Sequence, residues 1–421
     1  MLNLINNKIV LQSHQKKMLK LCYHIPFLLI FLPLIAIAED GVTDTVIRIG
    51  STQPLKGDLS PIGQGMKLGM DAGFKNAEIR GRSIELVVLN DSYNPATTVE
   101  AAGQLIEQGI FLMLGSTGSQ TMKAVLPLLA EHQVPAVGFY TGAGFEGPGE
   151  VLNFRASYVQ EVVTAVNSAL AAGVQPTEVC AYVQNDAYGM AGLAGVKQAL
   201  DQQDGTEEVV AILDQILNMA GDDPKRNNLG PVGVNQRGTL TARSGYMSLK
   251  EWEKKAGTSC RFVVTVLNTL STVQFIGYAN QLKGEEWVFS VPSPAVGEVL
   301  LQGLGEQKVN DKVIATGVLP VANTDLPIVQ QARQALGSNF NAFSLEGYAV
   351  SQMVLAILNN IQGDLTRANF LQAARSQPYD LGGVSVDFTT DNQGSNFVQL
   401  TTLKEGGFIP ITPTNLNAMF Q

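Results

Sequence analysis

Seven residues, Gly115-Ser-Thr-Gly-Ser-Gln-Thr121, bring four hydroxyls and two glycines into one turn. They follow the apolar run IFLML at 110–114 and lead into MKAVLPLLAEHQ, where Met122, Val125, Leu126 and Leu129 recur at helical spacing. A strand end followed by a helix N-terminus presents free backbone N–H groups and the positive end of the helix dipole. Ser116, Thr117 and Ser119 add hydroxyls that donate or accept beside Gly118. The combination suits a carboxylate or a similarly polar head group.

Other chemistries lack their parts. A P-loop places a lysine directly after its second glycine to meet the outer phosphates. Here Ser119 follows Gly118, and Lys123 lies inside the helix. A serine hydrolase needs its hydroxyl beside a base, yet the chain beyond residue 38 contains one histidine, His132, and no G-x-S-x-G. A single histidine also removes the usual Cys/His metal clusters. The reading is therefore binding without catalysis, cofactor or metal.

The next strand pattern, PAVGFYT at 135–141, ends in the turn Tyr140-Thr141-Gly142-Ala143. In open α/β sheets ligands lie at the carboxyl ends of strands, so the two turns face one ligand. Two or three charge-assisted hydrogen bonds, at about 1.5–3 kcal/mol each, are set against the cost of immobilising the ligand. They fall short of the roughly −8.2 kcal/mol that micromolar binding requires. A second lobe must close over the first and add contacts. Asn185-Asp-Ala-Tyr188-Gly189 and Leu267-Asn268-Thr269, at later strand ends, are its candidates.

The elements that position these turns alternate along a chain of 421 residues, too long for one compact domain on the usual prior. Residues 1–38 read as a secretory signal peptide: lysines, a 14-residue apolar run at 25–38 and the small-residue site Ala36-Ile-Ala38. Strand and helix patterns then alternate, which argues parallel sheets. After Asn153-Phe-Arg155 the pattern restarts as a second α/β lobe, with EVVAILDQ at 208–215 read as one of its strands. Residues 221–247, rich in Gly, Pro and Asn, read as a surface loop insertion. Lys225, Arg226, Arg237 and Arg243 in that loop raise a second reading, a lid over an anionic ligand.

The first 38 residues hold four lysines and no acid, so their removal takes the formal charge from −9 to −13. No nucleic-acid partner is expected of such a chain. Cys180 and Cys260 each start a strand pattern. An exported compartment permits a bridge between them, and two buried thiols are the alternative.

LGSTGSQT, PAVGFYTGAG, NFRASYVQE, VQNDAYGMAGLAGVKQAL, LEGYAV and DLGGVSVDF together resemble type I periplasmic solute-binding proteins, close to the branched-chain amino-acid receptors of ABC importers. The resemblance implies α/β architecture, with two Rossmann-like lobes of parallel sheets joined by a three-crossover hinge. It assigns 45–157 plus 318–390 to the first lobe and 158–317 plus 391–421 to the second. By that pattern Ser116, Thr117, Gly118 and Ser119, with Tyr140, Thr141, Gly142 and Ala143, hold the ligand head group. Tyr188 meets it from the second lobe, and Gln53 and Tyr158 line the cleft.

Two positions depart from the amino-acid receptors. Asn268 stands where they carry an aromatic residue, and Ser293, within Val291-Pro-Ser-Pro294, where they carry the acid that pairs with an ammonium. A buried ammonium without a partner is costly, so a carboxylate or neutral polar ligand without an amino group fits better. The resemblance implies a periplasmic, monomeric protein that serves a membrane ABC permease; a ligand-sensing partner of a membrane signalling protein is the alternative.

Overall fold

The computed structural model describes residues 39–421 apart from 283, 405 and 406. The signal-peptide reading lies outside the described residues. The chain begins with β1 (Val46–Gln53), α1 (Ser60–Phe74), β2 (Glu78–Ile79), β3 (Arg82–Asn90), α2 (Pro95–Glu107), β4 (Leu112–Leu114), α3 (Ser119–Glu131), β5 (Ala136–Val137) and β6 (Val151–Leu152). These strands form one six-stranded sheet in the order β2-β3-β1-β4-β5-β6. It is parallel throughout except for the β2–β3 hairpin.

A second run follows: α4 (Tyr158–Ala171), β7 (Val179–Gln184), α5 (Ala187–Leu200), α6 (Glu207–Leu217), β8 (Val232–Asn235), α7 (Ala242–Ala256), β9 (Phe262–Val266), α8 (Thr269–Asn280), β10 (Val288–Val291), α9 (Glu298–Glu306) and β11 (Val313–Gly317). The chain returns to the first body with α10 (Pro327–Leu336), α11 (Ala342–Asn360), α12 (Arg367–Ala374) and the hairpin β12 (Tyr379–Asp380) and β13 (Ser385–Val386). It finishes in the second with β14 (Gln399–Lys404), β15 (Gly407–Pro410) and α13 (Pro413–Ala418). The second sheet runs β15-β14-β11-β10-β9-β7-β8. The chain thus passes between the two sheets three times.

Each sheet has its own core. Val162, Val183, Leu193, Phe262, Phe275 and Leu300 belong to the second, while Ile47, Ile49, Met66, Val350, Met353 and Phe388 belong to the first. A smaller cluster under α3 contains Met122, Val125, Leu126 and Leu129, the helical stripe legible in the sequence. α1 packs on α11 without room for side chains: a Cβ on Gly69 would lie 2.1 Å from the Ser344 carbonyl oxygen.

Two expectations are corrected. EVVAILDQ is α6, because Val209, Leu213 and Ile216 complete a buried helical stripe once the window reaches Leu217. The strand expected there is β8, which lies inside 221–247 and pairs in parallel with β7. That segment is therefore no simple loop: Val232–Asn235 is fully buried at a sheet edge, and α7 begins at Ala242. Excising 221–247 would remove a strand. Its Gly and Pro content hid a strand only four residues long.

Cys180 and Cys260 are bridged, with Cα atoms 5.7 Å apart. β7 and β9 are neighbours in register from Val179↔Phe262, which brings the two cysteines together. No helix among the described residues is long and apolar enough to cross a membrane.

Candidate functional site

α3 starts at Ser119 because Gly118, at φ 106°, turns the chain out of the strand, and no side chain caps the helix there. Thr117 and Gly118 are held from both sides. Gly118 N–H donates to the Tyr140 carbonyl at 3.1 Å, and Tyr140 N–H to the Ser116 carbonyl at 2.9 Å. The turns at 115–119 and 140–143 therefore form one unit. The hydroxyls of Ser119 and Thr141 are 2.7 Å apart across it.

A cleft of about 1070 Å³ opens between the lobes, and Thr117, Gly118, Ser119, Tyr140, Tyr158, Tyr188 and Asn268 line it. Tyr158 and Tyr188 meet edge to face with ring centroids 4.8 Å apart. Asn268 caps α8 through its carbonyl oxygen, which accepts from Ser271 N–H, and its amide donates to Gln184 at 3.3 Å. Burial raises the pKa of the Tyr140, Tyr158 and Tyr188 hydroxyls, so these walls stay neutral.

Six expected residues stand behind the lining. The Gln53 side chain donates to the Gly115 carbonyl at 2.8 Å and accepts from the Thr117 hydroxyl at 2.6 Å, bracing the turn. Ser116 accepts from Thr52 N–H at 3.0 Å. Thr141 accepts from Ala143 N–H at 3.1 Å, and the Gly142 carbonyl accepts from Tyr158 N–H. A Cβ on Gly142 would lie 2.8 Å from the Tyr158 ring, so only glycine lets that tyrosine seat. Ser293 is bound into the hinge, accepting from Arg155 at 2.9 Å and donating to Glu161 at 2.9 Å.

That hinge is a buried charge cluster. Arg155 Nε lies 3.1 Å from Glu346 on α11, and its guanidinium sits 4.5 Å from the centroid of the Tyr140 ring. Glu161 on α4 accepts from Ser293 N–H at 2.8 Å and from the Thr316 hydroxyl. Arg155 thus pairs directly with Glu346 and reaches Glu161 through the Ser293 hydroxyl, all three charged groups being buried. Burial pushes the Glu346 carboxyl up to about 7, against the pull of Arg155.

Sequence reading missed three lining groups. Tyr93 follows β3, in the left-handed region at φ 57° after Ser92 at φ 49°. Asp91 holds this turn, accepting from Tyr93 N–H at 2.9 Å and the Thr98 hydroxyl at 3.0 Å. The ring lies so close to the α3 turn that a Cβ on Gly118 would come within 2.3 Å of it. Gln184 ends β7 and donates to Asp186 at 2.7 Å. Both follow from the rule that strand ends hold ligands. The third group, Ser338 to Phe343, runs into the first turn of α11 and carries no motif to find it by.

The four basic residues of 221–247 separate. Arg226 is buried and donates to Asn185 at 2.6 Å, while Lys225 and Arg243 are exposed. Arg237 alone lines the cleft. It donates to the Tyr93 carbonyl at 2.7 Å and stands 4.0 Å from Asp186.

Residues 46–216 match the family model described as periplasmic binding protein. A possible leucine/isoleucine/valine-binding protein from Rhodopirellula baltica SH 1 is 24% identical, with TM-score 0.76 over 90% of this chain and 99% of that one. A fatty acid ABC transporter substrate-binding protein from Thermomonospora curvata is 17% identical, with TM-score 0.71 over 90% and 95%. A solute-binding protein of an ABC transporter from Rhodopseudomonas palustris HaA2, in complex with p-hydroxybenzoic acid, is 18% identical, with TM-score 0.68 over 87% and 95%. No curated protein matches the sequence. The fold is that of the type I periplasmic binding proteins, and these relatives are binding proteins rather than enzymes.

Proposed function

We propose that this chain is an extracytoplasmic, non-enzymatic solute-binding protein that delivers a carboxylate-bearing solute to the membrane permease of an ABC importer. The observation that carries the reading is the α3 N-terminus, uncapped by any side chain and facing the interlobe cleft beside the Thr117 and Ser119 hydroxyls. A carboxylate there takes hydrogen bonds from the free backbone N–H groups of the first α3 turn and from the Ser119 hydroxyl, in the field of the helix dipole, while the Thr117 hydroxyl donates to Gln53 and packs beside it. Arg237 adds a positive charge from the opposite lobe.

Among the described residues an α-amino group has no free buried acid as partner at this end of the cleft. Asp186 is engaged by Gln184 and Arg237, and the lining acids Asp58 and Glu298 are exposed. The solute is therefore an organic acid rather than a standard amino acid.

Titration calorimetry of the purified protein with octanoate, 4-hydroxybenzoate and leucine tests the reading. At least one of the two acids is expected to bind with micromolar Kd, and Thr117→Val with Ser119→Ala to weaken it tenfold or more. Unchanged affinity in the double variant would remove the head group from this turn.

A further inference from the structure

We infer that the solute carries an extended apolar body, seated in a chamber between α1, the N-terminus of α11 and the start of α9; this rests on the head-group assignment above. The cleft can be traced from a polar end to an apolar one. Arg237 lies against Tyr93, Tyr93 against Gly118, and Gly118 is bonded to Tyr140. The Tyr140 ring then meets Phe343 edge to face at 6.1 Å. Beyond it Phe343 fits between Gly65 of α1 and Gly297 of the other lobe, where a Cβ would approach to 2.6 Å and 3.4 Å.

Around Phe343 apolar side chains gather, with Asp58, Glu298 and Asn341 as polar members of the same cleft lining. Leu59, Ile62 and Phe340 line the first-lobe side, and Val296 and Leu301 the second. The surface gives an independent sign. Seven large apolar side chains are exposed among the described residues. Four of them, Leu68, Leu240, Leu270 and Val299, line this one cleft, and they come from both lobes. Apolar side chains gathered at a cleft mark a ligand surface. The volume of about 1070 Å³ stands at the upper end of the range for drug-sized ligands.

The test is a calorimetric series of straight-chain monocarboxylates from butanoate to dodecanoate, below their critical micelle concentrations, beside leucine. Each buried methylene is expected to tighten binding about fourfold until the chamber is full. Val299→Asp, at a residue 45% exposed and so tolerant of substitution, is expected to weaken dodecanoate tenfold or more while butanoate stays within twofold. Phe343→Ala should flatten the dependence on chain length, with thermal melting as the check on folding.

Equal affinities along the series, still sensitive to Thr117→Val with Ser119→Ala, would overturn the apolar body and leave the head-group site standing. Leucine binding without the monocarboxylates would overturn the inference and the organic-acid reading together. Silence from every probe would overturn both.

Discussion

The guanidinium of Arg237 lies 5.0 Å from the centroid of the Tyr93 ring and donates a 2.7 Å hydrogen bond to the Tyr93 carbonyl. The two residues follow strands of different sheets, so this pair bridges the cleft mouth. A charged hydrogen bond contributes about 1.5–3 kcal/mol, and a partly exposed cation–π contact about 0.5–1 kcal/mol.

Arg237→Ala removes the bridge without touching either core. The dissociation rate of bound octanoate is expected to rise about tenfold or more, the kinetic equivalent of at least 1.4 kcal/mol. The melting temperature of the free protein should fall by no more than about 5 °C. Stopped-flow release and a thermal scan measure the two effects.

Gly118→Ala places a methyl group 2.3 Å from the Tyr93 ring, at a φ of 106° that L side chains rarely adopt. Carboxylate affinity is expected to fall tenfold or more. Adding Tyr93→Ala relieves the clash but not the strained φ, so the double variant should regain part of the loss by titration calorimetry.

Glu346 gives the pH dependence. Its carboxyl is raised from an ordinary 4.5 to about 7 by burial. Protons therefore favour the folded state, and the stability they contribute is fully present below about 4.5 and lost as pH rises through 7. Glu346→Gln, which cannot ionise, should flatten the stability profile across that window in denaturant unfolding.

Arg155→Met leaves Glu346 without its paired cation and Ser293 without a donor. Removing one partner of a buried ion pair costs about 3–5 kcal/mol. Denaturant midpoints at pH 7 should fall accordingly, and by less at pH 5, where Glu346 holds its proton.

The Cys180–Cys260 bridge closes a loop with a sequence separation of 80. Constraining the unfolded chain in this way stabilises by about 2–4 kcal/mol. Cys180→Ser with Cys260→Ser should lower the unfolding free energy by that amount and leave carboxylate affinity unchanged, because the pair lies in the second core, away from the cleft.

The alternating α/β plan was legible in the sequence because buried runs such as Val46–Gln53 and Phe262–Val266 are short and β-branched, and the α3 stripe is regular. The turn at 115–119 was legible because its glycines and hydroxyls sit where a strand hands over to a helix. Tyr93 and Arg237 were not assigned to the cleft, since what places them there is contact across a cleft between segments 144 residues apart. Val232–Asn235 was hidden by the glycines and prolines around it, and Phe343 by standing in the first turn of α11, where no strand end or turn motif marks it.

A carboxylate held at the α3 N-terminus in the interlobe cleft should stabilise the closed protein through Thr117 and Ser119. Thermal unfolding of the purified protein and of the Thr117→Val, Ser119→Ala double variant, each with octanoate, 4-hydroxybenzoate, leucine and no addition, tests it most directly. At about 100 times its Kd a ligand adds roughly 2.7 kcal/mol of stability. A raised midpoint is expected for the parent protein with at least one of the two acids, and a much smaller shift for the variant at the same concentration. Equal shifts in both proteins, or a shift with leucine alone, would contradict it.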